Sequence, residues 1–291
     1  MKKQNMLVAV WFAALANTAF AQSQIFLLQQ GADKGLRVDA VSEAGAYSNQ
    51  PVITDKGVYY SYEIGEAESA QKDIFFYDFA SGKRTNITNT AQYSEYSPTL
   101  IPSNDALSAV VVEPDGAQKL WRYALSGADK PMRLVDNALT VGYHAWGPNN
   151  DLMVFALGEP HQAMYFTVQA PNDVKHVSDN PGRTFAYSSL LNGFTFIQAE
   201  QNWLSRFNPQ NQEVTQLFRL PQDVQDYTWV EDGTIAYASH GRIYQKQLQS
   251  AKPAKLWHDL STYCDGQITR LSYLKDDDKL AFVCEMNDSS E

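Results

Sequence analysis

The sequence predicts an all-β fold, a six-bladed β-propeller with four-stranded antiparallel blades whose last blade is closed by N-terminal strands. Three observations carry this. A weak unit of turn, apolar strand, polar gap and further strands recurs about every 40–50 residues from Tyr47 onward, which is the period of a propeller blade. Beyond the N-terminal leader, no long stretch keeps a helical period free of turn residues. The repeat also leaves half a unit at each end of the chain.

Taken in chain order, Ile25-Phe26-Leu27-Leu28 and Leu36-Arg37-Val38-Asp39-Ala40-Val41 have the character of a third and a fourth blade strand without a first and second. The full units follow. Their most regular strand begins at Val58, Leu107, Leu152, Phe194, Ile235 and Leu280, at intervals of 49, 45, 42, 41 and 45 residues. Before these strands stand turns such as Asp55-Lys56-Gly57, Asn149-Asn150-Asp151 and Asn192-Gly193, whose residues tolerate the left-handed backbone of a tight hairpin. The next strand is aromatic and β-branched, as in Ile74-Phe75-Phe76-Tyr77, Leu120-Trp121-Arg122-Tyr123 and Met164-Tyr165-Phe166-Thr167. A short outer strand closes each unit, for example Thr85-Asn86-Ile87 or Lys255-Leu256-Trp257. The blades are expected at about 45–90, 91–138, 139–180, 181–222 and 223–262, with 263–291 joined to 22–44 as the sixth. Joining the ends in one blade leaves no large unpaired sheet edge.

Residues 1–21 are set apart as a secretory signal peptide. Lys2 and Lys3 open it, Met6 to Ala16 is apolar, and Ala19-Phe20-Ala21 is a small-x-small site predicting cleavage after Ala21. A membrane anchor is the alternative, but the run is short beside the ~20 residues that span a bilayer. The mature protein is therefore expected to be periplasmic or secreted, with no membrane insertion. Removing the two lysines takes the formal charge from −10 to −12, so nucleic acid and anionic lipid are poor partners. Of the two cysteines, Cys264 precedes the first strand of the last blade and Cys284 ends the second. In an oxidising compartment a disulfide is the default, with free thiols the alternative. Closing a loop of that length contributes about 3 kcal/mol in the chain-entropy model.

Catalytic motifs are sparse. There is no Gly-x-Ser-x-Gly elbow, and Gly82-Lys83-Arg84-Thr85 lacks the upstream glycine and following helix of a phosphate loop. His144, His161, His176, His240 and His258 show no zinc-type spacing, and Asp276-Asp277-Asp278 sits in a hairpin turn. No catalytic residue, metal site or cofactor is assigned. The positive feature is aromatic. Tyr47, Tyr96, Tyr143, Tyr187 and Tyr227 stand near the starts of successive innermost strands, with His144, Arg183 and Arg270 beside them and Glu95 and Asp226 nearby. Such residues would ring one mouth of the channel and suit a protein or peptide partner, because tyrosine gives large contact area at low entropic cost. The alternative is that the rings pack between blades.

Several segments resemble the PD40 repeat of the TolB family of periplasmic propellers. They are Tyr96-Ser97-Pro98-Thr99, Ala145-Trp146-Gly147-Pro148-Asn149-Asn150-Asp151-Leu152, and Asp73-Ile74-Phe75-Phe76-Tyr77-Asp78-Phe79-Ala80-Ser81-Gly82-Lys83 with Asn86-Ile87-Thr88-Asn89. The likeness spans the mature chain but fades in the fourth and fifth blades. It implies an exported, non-catalytic, TolB-like scaffold of the cell envelope that binds a protein through its channel mouth; in the family that partner is the peptidoglycan-associated lipoprotein Pal. TolB carries an α/β domain before its propeller, and only about 23 residues separate the expected cleavage site from the first full blade here, so the partner's identity does not carry over. A monomer is expected. PD40-type repeats also occur in peptidase propellers and a pectin-degrading lyase, so a lyase or hydrolase acting on carbohydrate or envelope fragments is the alternative function.

Overall fold

A computed structural model describes residues 22–31, 35–65, 69–127, 129–231 and 233–286; the signal peptide expected at residues 1–21 lies outside them. The chain opens with β1 (Ser23–Gln30) and β2 (Leu36–Ala40). Blade 1 is β3 (Ser48–Ile53), β4 (Gly57–Ile64), β5 (Gln71–Asp78) and β6 (Arg84–Asn86). Blade 2 is β7 (Ser94–Leu100), β8 (Ala106–Val112), β9 (Gln118–Ala124) and β10 (Met132–Arg133). Blade 3 is β11 (Val141–Trp146), β12 (Asp151–Ala156), β13 (Gln162–Thr167) and β14 (Ala170–Asp179). Blade 4 is β15 (Pro181–Ser188), β16 (Gly193–Gln198), β17 (Trp203–Asn208) and β18 (Glu213–Arg219). Blade 5 is β19 (Tyr227–Glu231), β20 (Thr234–Ser239), β21 (Arg242–Gln247) and β22 (Lys255–Asp259), and β23 (Gln267–Leu274) and β24 (Lys279–Glu285) end the chain. Among the described residues helix is confined to short turns such as the 3-10 turn Pro148–Asn150, and no helix is long and apolar enough to cross a membrane.

Each blade is a four-stranded antiparallel sheet, and the sixth has the order β2-β1-β24-β23. The two chain ends therefore share one sheet, with Ser23 opposite Glu285 and Leu28 opposite Leu280. The first strands touch in a closed circuit: β3 with β7, β7 with β11, β11 with β15, β15 with β19, β19 with β23, and β23 with β3. They line the axis.

Six apolar clusters fill the six seams between blades. Because every sheet is covered on both faces, its second strand is apolar at nearly every position. Along β8, Leu107, Ala109 and Val111 face blade 1 while Val110 faces blade 3. Along β24, Ala281 and Val283 pack toward blade 1 while Leu280, Phe282 and Cys284 pack toward blade 5. Cys264 and Cys284 are bridged, with Cα atoms 5.7 Å apart, which ties the approach to β23 onto β24.

One seam carries buried charge. Glu95 on β7 and Asp73 on β5 are both fully buried. Glu95 accepts hydrogen bonds from Thr90 Oγ1 at 2.8 Å, Tyr123 Oη at 3.0 Å and Thr88 Oγ1 at 3.2 Å. Asp73 accepts from Asn86 and from Gln71 Nε2 at 3.3 Å. Burial outweighs these donors, and with the neighbouring Asp73 charge it raises the Glu95 carboxyl from 4.5 to about 7. Glu95, expected near the channel mouth, is instead part of the seam between blades 1 and 2.

Two outcomes follow from this architecture. Deleting residues 24–41 removes β1 and β2 and should abolish cooperative thermal unfolding by circular dichroism; a folded truncation would contradict the shared blade. Between pH 4.5 and about 7 the folded protein retains a Glu95 proton that the unfolded chain has released, so stability should fall as pH rises through this window. Melting temperatures measured from about pH 4.5 to pH 8 should show that fall in the wild type and a flatter profile in Glu95→Gln.

Candidate functional site at the channel mouth

The inner strands are not regular along their length. The pairing of β11 with β12 slips between Val141 and Tyr143, and that of β23 with β24 slips between Ile268 and Arg270. On β15 the chain runs from Pro181 to Phe185 while β16 runs only from Gln198 to Phe196, so Gly182, Arg183 and Thr184 stand out of the ladder. A bulge re-aims the side chains beside it. Here the bulges turn Tyr143, Arg183 and Arg270 to the channel, where they line a cavity of about 140 Å³.

Blades 3 and 6 face each other across the axis, yet the Arg270 guanidinium lies 5.0 Å from the centre of the Tyr143 ring. The channel is thus crossed by a cation–π contact. Arg270 Nη1 also donates to Thr184 Oγ1 at 3.4 Å, and Thr184 donates to Asp226 Oδ1. The other Asp226 oxygen accepts the Leu271 amide at 2.7 Å. Burial pushes the Asp226 carboxyl upward, and the Arg270 charge opposes this. One polar chain therefore links blades 3, 4, 5 and 6 around the axis.

Tyr47, just before β3, is electrostatically coupled to Tyr143, Arg270 and Tyr96; burial raises its phenol strongly, Tyr143 adds to this and Arg270 opposes it. Lys72 Nζ stands 5.8 Å from the Tyr47 ring centre and pairs with Glu63 at 2.6 Å. Burial also raises the Tyr96 phenol, against the Lys72 charge. Arg183 is exposed and has no carboxylate partner among the described residues. It borders both the channel cavity and a larger cleft of about 440 Å³ over the seam between blades 3 and 4. The cleft is walled by Tyr143, Phe155, Leu157, Ile197 and Val224, with His161 at its edge.

Two residues expected at the mouth, Tyr227 and Tyr187, have other surroundings, and a third, His144, borders the channel cavity while its ring is held in a seam. Tyr227 is 2% exposed, and its hydroxyl donates to Thr195 Oγ1 at 2.7 Å. Trp229 Nε1 donates to the same oxygen at 3.3 Å, and Thr195 donates to the Ala186 carbonyl at 3.1 Å. His144 repeats the pattern two seams away. It is buried, and its Nε2 lies 2.6 Å from Ser108 Oγ, which also accepts from Trp146 Nε1 at 2.8 Å and donates to the Thr99 carbonyl at 3.1 Å. With the Ser108 proton on Thr99, the His144 proton resides on Nε2, and Nδ1 is left without a partner. Burial pushes this imidazole down to about 3, so it is neutral. Tyr187 lies toward the far end of β15, its ring 5.3 Å from Phe194 and its hydroxyl donating to Asn192 Oδ1 at 3.0 Å.

The ring-x-Trp pairs His144-Ala145-Trp146 and Tyr227-Thr228-Trp229, each opposite a hydroxyl in the preceding blade, are the sequence signal for these seam clamps. Among the described residues no three His, Cys, Asp or Glu side chains are grouped to hold a metal ion.

No protein-family model matches the chain, and no curated protein matches it. Solved structures do. The putative TolB of Agrobacterium tumefaciens aligns with a TM-score of 0.65 at 10% identity, over 91% of this chain and 99% of that one. A chain of the nidogen/laminin complex gives 0.64 at 11%, over 86% and 97%. A catalytically inactive virginiamycin B lyase from Staphylococcus aureus, solved with quinupristin, gives 0.55 at 13%, over 89% and 87%. At such identities the likeness is one of fold, the six-bladed β-propeller, which this chain shares with TolB among others.

Substitution separates the two tyrosine environments. Tyr227→Ala should cost about 3–5 kcal/mol by denaturant unfolding, because it empties a filled seam. Tyr143→Ala, at the half-buried rim, should cost clearly less; equal losses would place both rings in the core.

Proposed function

We propose that this chain is an exported, non-catalytic binding module of the cell envelope that takes a protein or peptide segment at the mouth of its channel. The observation that carries this is the convergence of Tyr143, Arg183 and Arg270 at the channel cavity, with Tyr143 and Arg183 also walling an apolar cleft, in a protein whose overall charge is −10. Rigid aromatic surface next to an unpaired guanidinium is the composition of an interface hot spot. The bridged cysteines support an oxidising compartment, and the leader-like residues 1–21 support cleavage after Ala21. The TolB-like fold neighbours support a scaffold role, as does a neighbour solved within a complex of two proteins.

A second reading, a propeller lyase or hydrolase acting on carbohydrate or envelope fragments, draws on the virginiamycin B lyase neighbour and on His161 at the rim of the cleft. Affinity capture from an envelope extract distinguishes them. The wild-type protein should retain a stoichiometric partner at physiological salt, and Arg183→Glu, which touches no structural partner, should lose it while melting normally. Release of a modified fragment from peptidoglycan or polysaccharide, with no retained protein, would favour the enzyme.

A further inference from the structure

Two cavities over the junction of blades 3 and 4 continue the channel mouth outward. The channel cavity and the cleft share Tyr143 and Arg183. The cleft and a third, outer cavity of about 400 Å³ share Ala199. Their walls also abut in the chain at Pro160 and His161, at Asn180 and Pro181, and at Ile197 and Gln198. These shared and adjoining walls set the three spaces side by side in a line from the axis, at β15, to the outer strand β18, where Gln216 lines the last of them; we term this line the groove.

The chemistry changes in order along this groove. At the axis stands the free Arg183, lifted out of the ladder by the wide bulge of β15. The backbone approaches closely there, since a Cβ on Gly182 would meet Ile197 Cβ at 3.0 Å. The middle is walled by Phe155, Leu157, Ile197 and Val224. The outer end presents Asp179, Glu200, Gln198 and Gln216, with no lysine or arginine in its lining. Asp179 accepts from His176 Nε2 at 2.8 Å and Gln162 Nε2 at 3.3 Å, which hold its carboxyl below the usual range. Glu200 accepts from Asn180 Nδ2 at 3.0 Å. The ends are thus opposite in charge, with an apolar slot between them.

We propose that this groove binds an extended peptide segment of a partner in a fixed polarity: an acidic side chain toward the axis, one large apolar side chain in the slot, and a basic side chain at the rim. This rests on the binding function proposed above and adds to it the composition and direction of the segment. Charge complementarity at two separated points sets the direction, because reversal would put like charges together at both ends.

The test is a library of end-capped, fluorescein-labelled peptides carrying one glutamate, one phenylalanine and one lysine at varied spacings, read by fluorescence anisotropy. The tightest members should lose at least tenfold in affinity when phenylalanine becomes glycine. Leu157→Asp should cause a similar loss, with the milder Leu157→Ala as a control for folding. Arg183→Glu should invert the preference at the acidic position, and the double variant Asp179→Lys, Glu200→Lys should invert it at the basic one. Binding that responds to Arg183→Glu but not to Leu157→Asp or the double variant would overturn the groove and leave the mouth as the binding site. A library with no binder, while a partner is still captured from extract, would overturn the groove as well. Absence of both would overturn the binding function itself. Saturable binding of an oligosaccharide in the groove, lost in Leu157→Asp, would overturn the peptide assignment.

Discussion

The pairing of β1 with β24 is the constraint on which the rest of this protein depends. A propeller blade has no core of its own; its two faces are buried only by its neighbours. Six seams exist only if six sheets close a circle, and the sixth sheet exists only if both ends of the chain enter it. The disulfide between Cys264 and Cys284 fastens the C-terminal half of that sheet. The mouth inherits its geometry from the same closure, since Arg270 can reach Tyr143 only because blade 6 stands opposite blade 3 at a fixed separation.

Within the ring, polar groups serve two purposes that the sequence does not separate at a glance. Some hold seams together, as Ser108 and Thr195 do by each receiving two ring groups from the next blade. Others are released from the seams by bulges and meet at the axis, as Tyr143, Arg183 and Arg270 do. A chain of net charge −10 places the Arg183 and Arg270 guanidiniums at one concavity, with the Asp226 carboxyl beside them.

The blades were legible because both faces of every sheet are buried, so the second strands become apolar runs such as Leu107 to Val111 and the turns between them stand out as Asn, Asp and Gly. The shared sixth blade was legible by counting strands, and the disulfide by compartment and strand position. The mouth was legible only in part. Alternation assigns a face to each inner-strand residue, and one inserted residue reverses the assignment. Tyr143 follows such a slip and reaches the channel, whereas Tyr227 lies in regular pairing with Tyr237, its strand slipping only later between Trp229 and Glu231. His144, next along from Tyr143, borders the same cavity but is buried, its ring bonded across a seam to Ser108. The cleft and its outer extension were invisible in the sequence because they are built from loops of two blades brought side by side.

The shared sheet also gives folding an order in time. The strands made first, β1 and β2, pair with each other, and the free edge of β1 meets its second partner only in the final hairpin of the polypeptide. Until then the toroid has an open flank, and the nascent chain holds two adhesive borders that can be sealed only by each other. The hairpin that completes the sixth sheet is also the element that carries Arg270 to its place by the Tyr143 ring.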